Sequence, residues 1–147
     1  LNDPRNFETA IKAVLKNSKH AQAAISYTTS PVHTLDLWLH LAGQLQDMGA
    51  HSLCIKDMAG LLKPYDAYKL ISCLKKELEI PVHLHCHATT GLSTATLLKA
   101  IEAGIDNVDT SISSMSGTYG HSATETIIAM QDKQERYTSL NYCNWKR

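Results

Sequence analysis

Strand-like and helix-like segments alternate along the whole sequence, and this alternation limits the fold more than any other feature. Short apolar segments end near Tyr27, Lys56, His87 and Thr110, and each is followed by a stretch with apolar residues at helical spacing. Strands and helices that alternate in this way form a parallel sheet with right-handed crossovers. We therefore expect an α/β protein with about four parallel strands and four to five covering helices.

The spacing of the strands favours part of a barrel over an open sheet. Consecutive strand ends are separated by roughly 23 to 31 residues, and a (β/α)8 barrel of about 250 residues averages roughly 31 for each strand–helix unit. The sequence thus predicts about half of a (β/α)8 TIM barrel, with a doubly wound open sheet as the alternative. No GxGxxG follows any strand, which argues against a dinucleotide-binding site.

Capping residues and apolar stripes locate the helices. Asp3 and Pro4 begin the first helix, because an acidic N-cap followed by proline is typical of a helix start. The second helix has an apolar stripe at helical spacing formed by Leu37, Leu41, Leu45 and Met48. Pro64 begins the third helix, whose predicted buried face consists of Ala67, Leu70, Ile71, Leu74 and Leu78.

The balance of charges argues against a polyanionic partner that is bound mainly by long-range electrostatic attraction. Lys+Arg and Asp+Glu both number 14, so the formal net charge is zero, and we expect no binding to nucleic acid. No apolar run approaches the roughly 20 residues that span a bilayer. The four cysteines form no CxxC pair, which favours a reduced, cytoplasmic protein over a zinc ribbon or a thioredoxin-type site.

The segment His83-Leu84-His85-Cys86-His87 places three imidazoles at alternate positions of one predicted strand. Alternate side chains share a face of a strand, and neutral imidazole is the commonest metal ligand in proteins. His85 and His87 would lie about 6.6 Å apart along the strand, close enough to lean onto one ion. His83 would be too far from His87 to share it, so we interpret His83 as a buried, hydrogen-bonded histidine. Cys86 should face the covering helices and serve in packing.

Charged residues end the neighbouring predicted strands at the same edge as the histidines. In a (β/α)8 barrel, the chemistry takes place at the C-terminal ends of the strands, where this chain has Lys56-Asp57 and Asp109. A lysine at a strand end is usually a solvated charge, and the two aspartates could be either loop caps or ligands. His85, His87 and Lys56 at one mouth together predict a functional site.

Two motifs resemble those of the carboxyltransferase domain of biotin-dependent enzymes: KDMAGLLKP at residues 56–64 and HCHATTG at residues 85–91. That family includes the α subunit of oxaloacetate decarboxylase, pyruvate carboxylase and the transcarboxylase 5S subunit. Two further segments are similar to the oxaloacetate decarboxylase branch: AISYTTSPVH at residues 24–33 and SSMSGTYGHSATE at residues 113–125. The resemblance covers roughly residues 1–130.

The resemblance implies a (β/α)8 barrel with a divalent metal ion, most often zinc, at its mouth. The HxH pair of the family binds the metal, which assigns His85 and His87 as metal ligands. The lysine of KDMAG is carboxylated on its amine and reaches the metal, which assigns Lys56 as a further ligand and a catalytic residue. The ion would act as a Lewis acid near a 2-oxo acid and favour the enolate that forms when oxaloacetate gives up its carboxyl group.

The resemblance therefore implies a metal-dependent carboxyltransferase that moves a carboxyl group from oxaloacetate to biotin and leaves pyruvate. Biotin would be carried on a biotinyl domain outside this sequence. In the oxaloacetate decarboxylase branch, membrane subunits couple this lyase reaction to sodium transport, so the protein would be cytoplasmic or peripheral to the inner membrane. The alternatives are the carboxyltransferase domain of pyruvate carboxylase, which runs the transfer in reverse, and, more distantly, a metal-dependent aldol-type lyase or synthase.

The sequence corresponds to only part of the family's barrel. We expect residues 1–130 to supply roughly strands five to eight of that barrel and residues 131–147 to form a divergent tail. The family's fourth metal ligand, an aspartate on its first strand, and its substrate-binding arginines have no counterpart in the sequence. An inactive, metal-binding half barrel is therefore a third alternative, and its open edges would favour self-association.

Overall fold

The computed structural model of the chain describes residues 2–136. Within that range there are five α-helices: α1 (Pro4–Lys16), α2 (Leu35–Asp47), α3 (Pro64–Glu77), α4 (Ser93–Glu102) and α5 (Thr124–Met130). There are four strands: β1 (Gln22–Ser26), β2 (Ser52–Asp57), β3 (Val82–Cys86) and β4 (Asn107–Val108). A turn of 3-10 helix spans Ser113–Met115. None of these helices is both long and apolar enough to cross a membrane.

The four strands form one parallel sheet in the order β1-β2-β3-β4, which is also their order in the chain. Each helix contacts the helix that follows it, from α1 to α5. Because right-handed crossovers between sequential neighbours place every helix on the same side of a sheet, the helices form a single layer. A doubly wound sheet would have helices on both faces. The predicted fold class, part of a (β/α)8 barrel, is confirmed.

The two faces of the sheet differ in burial because side chains alternate along each strand. In β3, Val82, Leu84 and Cys86 are fully buried against the helices, whereas His83 and His85 are partly exposed on the opposite face. The packing role predicted for Cys86 is therefore confirmed. The face that lacks a helix layer carries the polar side chains of the site.

The core lies between the sheet and the helix layer. The predicted buried face of α3 is confirmed, since all five of its apolar residues are buried. The stripe predicted for α2 was wrong at Leu37, which is 40% exposed. The buried positions begin one residue later, at Trp38, and continue at helical spacing through Leu41, Ala42 and Leu45. The indole of Trp38, stacked beside His33, takes the core position that the sequence pattern gave to Leu37.

Local side-chain contacts decide where elements begin and end. As predicted, Asp3 caps α1, and its carboxylate accepts a hydrogen bond from the amide of Arg5 at 3.0 Å. The fourth strand was predicted to end near Thr110, but β4 is short and ends at Val108. The carboxylate of Asp106 accepts the amide of Val82 at 2.7 Å, so a side chain makes a contact that strand pairing would otherwise supply. The amide of Asp109 donates to the carbonyl of Leu84 at 3.0 Å and keeps the chain beside β3.

Candidate metal centre

Three histidines converge at the C-terminal end of β3. His85 and His87 belong to the HxH motif, and His121 comes from the loop that precedes α5. The ring centroids of His85 and His87 both lie near that of His121, at 4.4 Å and 4.8 Å respectively. One ligand nitrogen from each ring lies within 4.8 Å of the others. Within residues 2–136, this is the only group of three metal-ligating side chains whose ligand atoms all lie that close to one another.

His85 and His87 approach each other through their Nε2 atoms, which are 3.1 Å apart. The rise of a strand alone would separate the two residues by about 6.6 Å, so the side chains lean towards each other as the HxH spacing predicted. Two imidazole nitrogens bound to one tetrahedral zinc ion at about 2.0–2.1 Å would be separated by roughly 3.3 Å. The observed separation is close to that value, so one ion fits between the two rings.

Asp109 orients the ring of His85. The Nδ1 atom of His85 lies 2.6 Å from Oδ2 of Asp109. Burial alone would raise the pKa of Asp109, but hydrogen bonds from His85 and His83 hold that pKa below its ordinary value. An ionised carboxylate can only accept hydrogen bonds, so Nδ1 of His85 carries a hydrogen, and in the neutral ring Nε2 is the nitrogen with the lone pair. Metal-binding histidines are typically oriented in this way by a carboxylate.

Backbone carbonyl groups orient the other two rings. The Nδ1 atom of His87 donates to the carbonyl oxygen of Tyr119, and Nδ1 of His121 donates to the carbonyl oxygen of Cys86 at 3.1 Å. Carbonyl oxygens only accept, so Nε2 is the lone-pair nitrogen of both rings. Burial lowers the pKa of His121, which favours the neutral form that binds metal.

His83 has no nitrogen left for a metal ion. Its Nε2 atom lies 2.7 Å from Oδ1 of Asp109, and its Nδ1 atom lies 3.3 Å from the side-chain nitrogen of Gln22. The prediction that His83 is hydrogen-bonded is confirmed. The prediction that it is buried was wrong, because its side chain is 20% exposed on the face of the sheet that lacks helices.

Lys56 lies on the strand next to the HxH motif. In the register of the sheet, Lys56 pairs with His85 of β3 and with Ser26 of β1. Residues paired across neighbouring strands project from the same face, so Lys56 and His85 share the partly exposed face. None of the ion pairs found within residues 2–136 includes Lys56.

Asp57 is a loop cap and not a ligand. It pairs with Cys86 on the helix-facing side of the sheet and is fully buried. Its carboxylate oxygens accept hydrogen bonds from the amides of Leu61 and Leu62 at 3.0 Å and 2.8 Å. The carboxylate therefore holds the turn of the KDMAG motif and points away from the face that carries Lys56.

The place of His121 in the site and the contacts of Asp109 were not predicted from the sequence. His121 lies in a loop rich in serine and glycine, where no strand or helix period indicates the direction of a side chain. The one available signal was its place after the last predicted strand, at the same edge as the HxH motif. Asp109 was considered as a cap or a ligand, whereas the structure shows it as the shared acceptor for His83 and His85.

Comparisons with known proteins identify relatives of the chain. A family model described as HMGL-like matches residues 4–146. The methylmalonyl-CoA carboxyltransferase 5S subunit of Propionibacterium freudenreichii subsp. shermanii is 51% identical over 144 residues, which cover 97% of this chain and 28% of that protein. A pyruvate carboxylase subunit of Methanocaldococcus jannaschii is 51% identical over 128 residues, which cover 87% of this chain and 23% of that protein.

Solved structures agree with these relatives. The carboxyl transferase domain of Rhizobium etli pyruvate carboxylase, determined with pyruvate and biocytin, superposes with a TM-score of 0.95 at 35% identity. The match covers 97% of this chain and 25% of that one, so the chain spans about a quarter of the length of these relatives. The family match passes residue 130, and the boundary placed there between a partial barrel and a tail stays a prediction.

Proposed function

Because this chain belongs to the HMGL-like family, we propose that it forms part of a biotin-dependent carboxyltransferase. The observation that carries the proposal is the pair of Nε2 atoms on His85 and His87, 3.1 Å apart, beside Lys56 at the C-terminal end of a parallel sheet. The carboxyltransferase and carboxylase names of its relatives support the same class of reaction. The proposed reaction moves a carboxyl group between oxaloacetate and biotin, with pyruvate as the other 2-oxo acid.

The donor set fits a divalent metal ion, for which zinc is our first choice. Imidazole nitrogens that keep a lone pair and donate through their second nitrogen are suited to zinc and to other first-row ions. We propose His85, His87 and Lys56 as the ligands, with the amine of Lys56 converted to a carbamate that offers an anionic oxygen. The bound ion would supply a Lewis acid for the oxygen of a 2-oxo acid.

The residues of this chain bind and orient, and they hold protons at stated atoms. Asp109 keeps the hydrogen of His85 on Nδ1, and the carbonyl group of Tyr119 does the same for His87. Rings that are already oriented lose little freedom when they bind, which is the benefit of a preorganised site. The 2-oxo acid would approach at the C-terminal ends of the strands, where His85 and Lys56 are partly exposed.

A second candidate is the carboxyltransferase domain of pyruvate carboxylase, in which the carboxyl group moves from carboxybiotin to pyruvate. The Methanocaldococcus jannaschii relative at 51% identity and the Rhizobium etli domain favour it. The oxaloacetate decarboxylase branch, with sodium export through membrane subunits, stays a prediction that rests on the sequence resemblance. The biotinyl domain is a proposed partner in both cases, and self-association through the sheet edges is a prediction of the same kind.

Biotin-dependent release of pyruvate tests the proposal. The full chain, loaded with Zn²⁺, is mixed with oxaloacetate and free biotin, and pyruvate is followed with lactate dehydrogenase and NADH. We expect release that requires biotin and disappears in the His85→Ala/His87→Ala double variant. His40→Ala is the matched control, because His40 is exposed on α2. Release no faster than in the double variant would contradict carboxyltransferase activity of this chain on its own and favour the inactive metal-binding half barrel.

A further inference from the structure

We infer that His121 is a third imidazole ligand of the metal ion proposed for His85 and His87, an inference that rests on the proposed metal centre. The ring of His121 lies within 4.8 Å of both other rings, measured between centroids. The angles between the ring planes are 75° with His85 and 45° with His87. The rings are therefore inclined to one another and not stacked, as expected of imidazoles that surround a common point.

The hydrogen bonds of the three rings leave the same nitrogen available in each. Nδ1 of His85, His87 and His121 donates to a carboxylate or carbonyl oxygen, none of which can donate in return. In the neutral form of each ring, Nε2 is therefore the nitrogen that carries the lone pair. The two Nε2 atoms of His85 and His87 would repel through their lone pairs at 3.1 Å unless a proton or a cation lies between them.

The loop that carries His121 is attached to the end of β3 at consecutive residues. The carbonyl oxygen of Tyr119 accepts from His87, and that of Gly120 accepts from the amide of Ala88 at 2.7 Å. The side chain of His121 then returns to the carbonyl oxygen of Cys86. These contacts tie His121 to the same strand end that carries the other two imidazoles.

A chain of hydroxyl groups fixes the next residue of the loop. Ser122 is buried, accepts a hydrogen bond from Thr94 and donates to Ser93, both at 2.9 Å. Ser93 donates to the carbonyl oxygen of Cys86 at 3.0 Å, so that oxygen accepts from both Ser93 and His121. The backbone beside His121 is thus held in place by α4, and the ring is oriented before an ion binds.

Three neutral nitrogen donors define the class of ion. Imidazole suits zinc and cobalt, whereas magnesium and calcium prefer oxygen. A site of three histidines and one further position is an arrangement that zinc adopts in enzymes. Here Lys56, on the same face as His85, would be adjacent to the remaining position. We therefore assign the centre to Zn²⁺ or Co²⁺ and not to Mg²⁺.

Metal affinity and ligand counting test the assignment without an activity assay. Co²⁺ and Zn²⁺ are titrated into the full chain, and the number of imidazole ligands is obtained from zinc K-edge X-ray absorption. We expect three imidazoles in the unaltered chain and two in His121→Ala, with the dissociation constant raised more than about 100-fold, since loss of an outer-shell partner alone costs 10–100-fold. His40→Ala should bind as the unaltered chain does.

The outcomes separate this inference from the proposal on which it rests. The role of His121 would be overturned if the unaltered chain showed two imidazole ligands and His121→Ala bound the metal with unchanged affinity. If affinity were then lost in His85→Ala/His87→Ala, the HxH centre would still stand. Metal binding that survives the double substitution would overturn both. Circular dichroism checks that each variant is folded. Free imidazole should restore affinity to folded His121→Gly if His121 is a ligand, and failure of this rescue would count against it.

Discussion

A β-carbon on Gly60 would lie 2.6 Å from the carbonyl oxygen of His87. Thr90 makes a second contact close by, since its hydroxyl donates to the carbonyl oxygen of Gly60 at 2.6 Å. The KDMAG loop after β2 and the HATTG loop after β3 are therefore in direct contact. Gly60 allows this approach because it has no side chain and adopts a φ of +65°.

Substitution of Gly60 by alanine should destabilise the chain strongly. The new β-carbon would overlap the backbone of His87, and the left-handed conformation adds roughly 1–2 kcal/mol of strain for any residue with a side chain. Gly91→Ala is the control, because Gly91 also has a positive φ of +79° but no described atom lies within 4 Å of its β-carbon. Urea unfolding should give a free-energy loss for Gly60→Ala that exceeds the control by about 1–3 kcal/mol. Equal losses would show that the contact between the loops is not tight.

Removal of the carboxylate of Asp57 should loosen the KDMAG turn. Asp57→Asn replaces one acceptor oxygen by an amide group that cannot accept, and so leaves either the partly buried amide of Leu61 or the buried amide of Leu62 without its partner. The expected loss in the free energy of unfolding is about 1–3 kcal/mol. Asp47→Asn, at an exposed site at the end of α2, should change stability by less than about 0.5 kcal/mol. Urea denaturation measures both, and a loss as small as that of the control would contradict the capping role.

Carboxylation of Lys56 should be detectable by ¹³C NMR. In buffer containing ¹³C-labelled bicarbonate and Zn²⁺, we expect one carbamate signal, because the amine of Lys56 has no carboxylate partner among the ion pairs of residues 2–136. Lys56→Ala should abolish the signal. Lys63→Ala, which alters an exposed lysine of the same loop, should preserve it. A signal that persists in Lys56→Ala would place the carbamate elsewhere.

Two buried thiols should resist alkylation. Burial raises the pKa of Cys54 to about 11 and that of Cys86 to about 12, so at pH 8 almost none of either thiol is the reactive thiolate. Cys73, which is half-buried, should react faster. Iodoacetamide labelling followed by peptide mass mapping measures the rates, with urea-unfolded chain as the reference. Labelling of Cys86 as fast as in urea would contradict its burial.

The same two thiols predict a loss of stability at alkaline pH. A raised pKa means that the folded chain holds these protons more tightly than the unfolded chain, whose thiols titrate near 9.0. The contribution of these two thiols to the free energy of unfolding is therefore complete below pH 9, and it is lost as the pH rises from 9 through 11 and 12. We expect the free energy of unfolding, measured with urea, to fall less between pH 8 and pH 10.5 in Cys86→Ala than in the unaltered chain. An equal fall in both would contradict this linkage.

Most of the fold could be predicted because burial leaves a periodic signal in the sequence. The alternation in residues 82–86 and the helical stripe of α3 both match the structure. Periodicity cannot decide which of two adjacent apolar residues enters the core, so Leu37 was placed where Trp38 packs. It also cannot anticipate a side chain that replaces a strand contact, as Asp106 does before β4.

The candidate site was predictable only where it lies on a strand. The period of two brings His85 and His87 to one face, and the resemblance to a known family added Lys56. The direction of His121 depends on hydrogen bonds to residues far away in the sequence, such as its contact with Cys86. Such tertiary contacts leave no local pattern, which is why a structure was needed to find the third imidazole.

The order of strands in the sheet has a consequence for how the chain assembles during synthesis. Each strand pairs with the strand made just before it, so a nascent chain can add strands at one growing edge and never has to insert one between two others. His85 and His87 emerge on β3, whereas His121 follows only after β4. A ribosome-bound chain would therefore have two imidazoles in place first and would gain the third when the loop before α5 folds against β3. Its affinity for a metal ion would then rise in two stages.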